Sequence, residues 1–131
     1  MNRPATLIGA VVLNFLIGLL CIFFGLLFVW AFLNGVHERV GLSPSFAIPA
    51  RIIIFGTPIY GALAVVGAVG TWGRSRRGWW LCLGINGLGI AALAPWASSF
   101  DRTVGAVVSI VILGLAVLLL VAPRTRSALR D

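Results

Sequence analysis

Few side chains in this sequence could do chemistry, and their surroundings limit what it could be. His37 and Glu38 adjoin in a hydrophilic stretch, NGVHERVGLSPSFAIPAR at residues 34–51, where a lone imidazole beside one carboxylate makes a poor ligand set for a metal. Cys21 and Cys82 each sit inside an apolar run. No CxxC pair or His/Cys cluster accompanies them, so neither a disulfide framework nor a zinc site is implied. No nucleophile–base pair, HExxH or carboxylate dyad occurs, and the chain is expected to be non-enzymatic, with no catalytic residue, cofactor or metal. Neutral polar residues remain in apolar surroundings, among them Asn14, Tyr60, Asn86 and Ser109, together with a basic turn, RSRR, that carries Arg74, Arg76 and Arg77.

The elements that position these residues are expected to be membrane helices. Of 131 residues, 60% are hydrophobic and 10% charged, against about 45–50% and about 25% in an ordinary soluble domain. The mean hydropathy is +1.09. Four charge-free segments, residues 7–33, 52–72, 79–97 and 104–122, are each near or above the roughly 20 helical residues that cross a bilayer core of about 30 Å. Strands of alternating polarity are lacking, and backbone groups in lipid must be satisfied internally, so helices are the remaining solution. The expected fold is all-α: one transmembrane domain over residues 1–131, with four helices in an up-down antiparallel bundle. The first segment is too long for a signal-peptide core and is expected to stay as an anchor, tilted in the membrane. Short loops at 73–78 and 98–103 keep neighbours antiparallel, and residues 34–51, with Gly35, Gly41, Pro44 and Pro49 as breakers, are expected to form an outer loop.

All ten cationic residues are arginines, in a chain of formal charge +7. With four spans, Arg3, Arg74, Arg76, Arg77, Arg124, Arg126 and Arg130 share one side, and Arg39, Arg51 and Arg102 the other. This asymmetry predicts an inner (plasma) membrane protein with both termini cytoplasmic. Trp72, Trp79 and Trp80 fall at the inner border, Trp30 and Trp96 at the outer. The expected partners are therefore the bilayer and, for Arg74, Arg76, Arg77, Arg124 and Arg126, anionic lipid head groups, at about 1 kcal/mol per arginine near the surface. Charge spread along two membrane borders gives no nucleic-acid reading.

Small residues recur at helical spacing. Ala10, Asn14, Gly18, Cys21 and Gly25 share a face in the first segment; Gly56, Tyr60, Gly67 and Gly70 in the second; Gly84, Gly87, Ala91 and Ala94 in the third; Gly105, Ser109 and Ala116 in the fourth. Such ridges predict close helix packing with polar groups turned inward. Counting from the inner ends, Asn14 matches Asn86 in depth and Tyr60 matches Ser109, and these four are the candidate interhelical polar contacts. Asn86 lies nearly opposite its own helix's ridge, which suggests a third helix packed on two sides, in a homo-oligomer or with a membrane partner subunit. Pro58 removes one backbone hydrogen bond, with Thr57 beside it as a local donor. Leu13–Leu16 and Ile85–Leu88 (LNFL and INGL) echo each other without a matching echo in the other two helices.

No ionisable side chain lies deep in any span, and ion-coupled transporters rely on such groups. The small multidrug resistance transporters need a membrane glutamate where this chain has Asn14, and Gly84-Ile85-Asn86-Gly87 lacks the signatures of the fluoride channels. With RPATLIGAVVLNFLIGLL at its start and GRSRRGWWLCL opening its third helix, the sequence resembles small four-span bacterial inner-membrane proteins, over most of its length. That resemblance implies a location and no activity. The leading expectation is a non-enzymatic accessory, scaffold or assembly subunit of a membrane complex. The alternatives are a small oligomeric channel or uniporter with a neutral polar path through Asn14, Asn86, Tyr60 and Ser109, and a protein that binds lipid or isoprenoid between its helices.

Overall fold

The computed structural model describes residues 2–35, 44–97 and 103–129, with side chains over 2–35, 51–94 and 104–129. The elements found there are helices: α1 (Ala5–Leu33), α2 (Pro44–Trp72), α3 (Arg76–Ala97), α4 (Thr103–Val121) and the short α5 (Pro123–Ser127). Three are long and apolar enough to cross a membrane: α1, the Arg51–Trp72 part of α2, and Val104–Val121 of α4. At 22 residues, or about 33 Å, α3 has the length, but Arg76, Arg77, Trp79, Trp80 and Asn86 dilute its apolar character. His37, Glu38, Arg39, Gly41, Asp101, Arg102 and Arg130, and the side chains of Pro95 and Trp96, lie outside the described residues.

Part of the expected outer loop is helix. α2 begins at Pro44, eight positions ahead of the expected residue 52. A proline at the first helical position sacrifices nothing, because that N–H has no partner in the helix and the ring fixes a helical φ. Pro49 removes one bond in the second turn and the helix continues through it. Of the four expected breakers, Gly35 stands just past the end of α1 with φ 70°, Pro44 starts a helix, Pro49 lies within it, and Gly41 is outside the described residues.

Helices adjacent in sequence are adjacent in space, and α4 returns to α1. Contacts between α1 and α2 descend one helix as they climb the other. Arg3 meets Trp72, Gly18 meets Gly61 and Val65, Gly25 meets Pro58, and the Phe32 and Phe55 rings sit 5.7 Å apart. Glycine sets the spacing. A Cβ on Gly61 would stand 2.6 Å from the Gly18 carbonyl oxygen and 2.7 Å from the Ile22 nitrogen, and one on Gly25 would stand 2.6 Å from Pro58 Cδ. Lipid tails are as apolar as leucine, so such backbone approach, with the dispersion it brings, does the work that hydrophobic burial does in water.

The turn from α2 to α3 takes three residues. Arg74 at its centre is left-handed, with φ 63°; its N–H reaches the Thr71 carbonyl at 2.9 Å and the Ser75 N–H reaches that of Gly70 at 3.0 Å. This is the paired helix-ending motif that usually places glycine where Arg74 stands, and a non-glycine residue there costs about 1 kcal/mol or more. Beyond the turn, α2 and α3 touch through glycines again: a Cβ on Gly78 would fall 2.5 Å from the carbonyl carbon of Gly70, and one on Gly67 would fall 2.8 Å from Cys82 Sγ.

The end of α4 shows how its last carbonyls are satisfied. In a continuing helix the Leu119 carbonyl would accept from residue 123, which is proline, and that of Leu120 from residue 124, which has turned away into α5. Side chains take over: the Thr125 hydroxyl donates to Leu119 at 2.8 Å and the Trp79 indole to Leu120 at 2.8 Å. Since a hydroxyl has one proton, Thr125 then accepts from Thr6 of α1, 2.9 Å away. The buried apolar clusters gather at this same end, Ala10, Trp79, Cys82 and Leu120 in one, Leu7, Val11 and Ala68 in the other.

The glycine contacts give a direct test. Gly61→Ala should destabilise the protein by about 2 kcal/mol or more, in the manner of core overpacking. Gly87→Ala, whose Cβ would meet nothing within 4 Å, should be neutral or stabilising by up to about 1 kcal/mol through helix propensity. Denaturant titration in micelles with far-ultraviolet circular dichroism reads both.

Candidate functional site

Two features merit attention as sites: a buried polar pair in the middle of the helices and an apolar cavity beyond it. Asn14 of α1 and Asn86 of α3 are each 1% exposed. The Asn86 amide donates to Asn14 Oδ1 at 2.6 Å and, with its second proton, to the Cys82 carbonyl at 2.7 Å; the Asn14 amide donates to the Ala10 carbonyl at 2.8 Å. Each side chain is thus anchored to its own helix one turn back while the two meet across the interface. Nearby, Thr71 donates to the Gly67 carbonyl at 2.8 Å and lies 3.8 Å from Cys82 Sγ, so the polar level extends from α1 through α3 to α2.

The second depth-matched pair does not form. The Tyr60 hydroxyl donates to the Ile85 carbonyl of α3 at 3.0 Å, and Ser109 donates to Gly105 of its own helix at 2.8 Å. A serine hydroxyl reaches its own backbone one turn back without any rearrangement, and that local bond outcompetes a distant phenol. Tyr60 and Ser109 do line the same cavity, of about 580 Å³, within the roughly 300–1,000 Å³ usual for small-molecule sites.

The Tyr60 ring reaches across to α3 and occupies the space that a Cβ on Gly89 would fill, 2.5 Å from the phenol oxygen. The contacts between α2 and α3 at Gly67, Gly70 and Gly78 lie on the α5 side of this ring, and the cavity lies on the other. All four long helices contribute to the wall, among them Leu20 and Cys21 of α1, Gly56 of α2, Leu93 of α3 and Ile112 of α4. Its few polar groups are turned away: Thr57 donates to the Ile53 carbonyl at 2.5 Å, as Ser109 and Tyr60 do to theirs. The lining is accordingly that of a site for hydrocarbon.

The small-residue ridge expected on α3 faces outward. Gly84, Gly87, Ala91 and Ala94 are exposed, and a Cβ on either glycine would meet nothing within 4 Å. The inward face is instead Gly78, Cys82, Ile85, Asn86 and Gly89. On α2, the expected ridge includes Gly67 and Gly70, which do pack, and Gly56, which opens to the cavity; Gly61, the close contact to α1, was not on it. On α4, Ala116 is buried, Ser109 half-buried and Gly105 exposed.

At the opposite end from the cavity, five arginines accompany Arg3. Arg74 forms the turn, Arg76 and Arg77 open α3, and Arg124 and Arg126 stand exposed on α5. Arg3 lays its guanidinium 3.7 Å from the centre of a Trp72 ring and donates to the Trp72 carbonyl at 2.9 Å. Both contacts tie the chain start to the end of α2, a role that a count of charges could not reveal.

If the asparagine pair is a register lock, Asn14→Ala and Asn86→Ala should each destabilise the protein, and the double variant by less than their sum. The coupling energy is expected near 1 kcal/mol, as for hydrogen bonds between membrane helices. A double-mutant cycle on micelle unfolding measures it. A scan of family models, a search of curated proteins and a search of solved structures each found no match to this chain.

Proposed function

We propose that the chain is an integral membrane protein of a bacterial inner membrane in which all four long helices cross the bilayer, as an up-down antiparallel bundle with both termini in the cytoplasm. Two features support the arrangement: the opposed contacts of α1 and α2, and the gathering of Arg3, Arg74, Arg76, Arg77, Arg124 and Arg126 at one end. Those arginines would meet anionic lipid head groups at the cytoplasmic face.

Its role is non-enzymatic, as an accessory or assembly subunit of a membrane complex that receives a helix of another membrane protein on α3. The observation that carries this reading is the contrast among the glycine ridges. Those of α1 and, apart from Gly56 at the cavity, α2 are consumed by contacts inside the chain, whereas Gly84, Gly87 and Ala91 form an exposed flat strip, and a Cβ on either glycine would meet nothing within 4 Å among the described residues. In a membrane such strips allow another helix to approach closely. The channel reading has less support, because Asn14 and Asn86 satisfy each other and the hydroxyls of Tyr60, Thr57 and Ser109 are committed to backbone carbonyls.

Crosslinking in native membranes followed by purification of the tagged chain tests the proposal. A defined foreign subunit should co-purify with the wild type and fall by about tenfold, the equivalent of about 1.4 kcal/mol, with Gly87→Phe. A strictly monomeric protein with no crosslinked neighbour overturns it, and so does co-purification that Gly87→Phe leaves unchanged.

A further inference from the structure

We infer that the cavity bordered by Tyr60 is a binding site for one acyl chain of an anionic phospholipid, whose phosphate pairs with Arg51 at the rim. The site is independent of the strip on α3 and belongs to a different part of the molecule.

The tail assignment follows from the wall. With the hydroxyls of Tyr60, Thr57 and Ser109 already bonded to backbone, the surface offered to an occupant is hydrocarbon, and a ligand with a polar body would lose its hydrogen bonds there without replacement. The shape suits a chain. Along α2 the lining runs from Ile52 to Tyr60, about 12 Å of depth. The route in is lateral. Near α5, α1 is held to α4 and α5 by the Thr6–Thr125 bond and by Leu119 against Gly9. At the cavity, Leu20 of α1 and Ile112 of α4 both line the wall and also reach the outer surface, at 57% and 40% exposed. A chain already in the bilayer can slide in between α1 and α4 and leave its head group outside.

The head-group assignment follows from charge at the mouth. Arg51 immediately precedes the rim residues Ile52 and Ile53 and is exposed. Its guanidinium lies 5.6 Å from the centre of the Phe32 ring, so an α1 aromatic supports it from one side. The edge N–H groups of a guanidinium match the oxygens of a phosphate, and this pairing is stronger than a cation alone would give. Phosphate at Arg51 and Tyr60 at the floor define a site that takes a single tail.

Gly56 provides an unusually clean variant. It lines the cavity, and a Cβ there meets nothing within 4 Å, so Gly56→Phe fills the site without displacing backbone. Purified full-length protein in neutral detergent is incubated with phosphatidylglycerol or phosphatidylcholine and examined by native mass spectrometry. The wild type should retain one phosphatidylglycerol about tenfold better than phosphatidylcholine. Arg51→Gln should abolish that preference, Gly56→Phe should reduce both lipids about tenfold, and Gly87→Phe, on the far side of α3, should match the wild type. If Gly56→Phe does not accumulate, Ser109→Leu narrows the same cavity from α4. Retention unchanged by filling the cavity overturns the site, as does an unsaturable ladder of adducts. Equal retention of the two phospholipids, or displacement of phosphatidylglycerol by palmitate, overturns the anionic phospholipid as its ligand.

Discussion

Everything in this molecule depends on α2 being approached on two faces by backbone. Gly61 takes the α1 side and Gly67 and Gly70 the α3 side, and at each the neighbouring helix comes to a distance that any side chain would forbid. In a membrane the gain from such contact is dispersion and shape, since apolar area is not being removed from water. One residue from Gly61, Tyr60 reaches α3 instead, with its hydroxyl on the Ile85 carbonyl and its ring over Gly89. The same turn of helix therefore meets one neighbour with bare backbone and the other with a large side chain, at the border of the cavity.

Polar groups are economised in a consistent way. Thr57, Thr71 and Ser109 return their protons to carbonyls one turn back on their own helices, and Asn14 and Asn86 do the same with one proton each. Only the asparagines have enough capacity left to speak to each other, because an amide has two donors and an acceptor where a hydroxyl has a single proton. Among these five the direct side-chain bond between helices falls to the pair with spare valence; elsewhere helices are joined by Tyr60 to Ile85, by Trp79 to Leu120 and by the Thr6–Thr125 hydroxyls.

That rule also explains what the sequence could and could not reveal. Depth counting brought Asn14 opposite Asn86, because helix rise is fixed and both residues sit in the same register from the arginine end. It failed for Tyr60 and Ser109, where a local bond was available to the serine. The ridge on α1 was legible since Ala10, Asn14, Gly18 and Gly25 are all buried. On α3 the more regular ridge was the outer one. Glycine spacing states that a face is flat and carries no sign for inside or outside; on α3 the inward face was marked by Cys82 and Asn86, with glycines at less regular intervals. The cavity was beyond reach of periodicity, because its wall is assembled from side chains on all four long helices.

The finish of α4 carries a consequence for assembly. Pro123 leaves the Leu119 carbonyl without a backbone donor, and the bend after it does the same for Leu120. The first is closed by a neighbour in sequence, Thr125, which is steadied by Thr6; the second is closed by Trp79, which belongs to α3. Undocked, the α4–α5 segment can satisfy Leu119 by itself and leaves Leu120 open. Its seating beside α3 is therefore favoured by a polar contact at one helix end as well as by apolar packing along the shaft, and that contact exists in a single register.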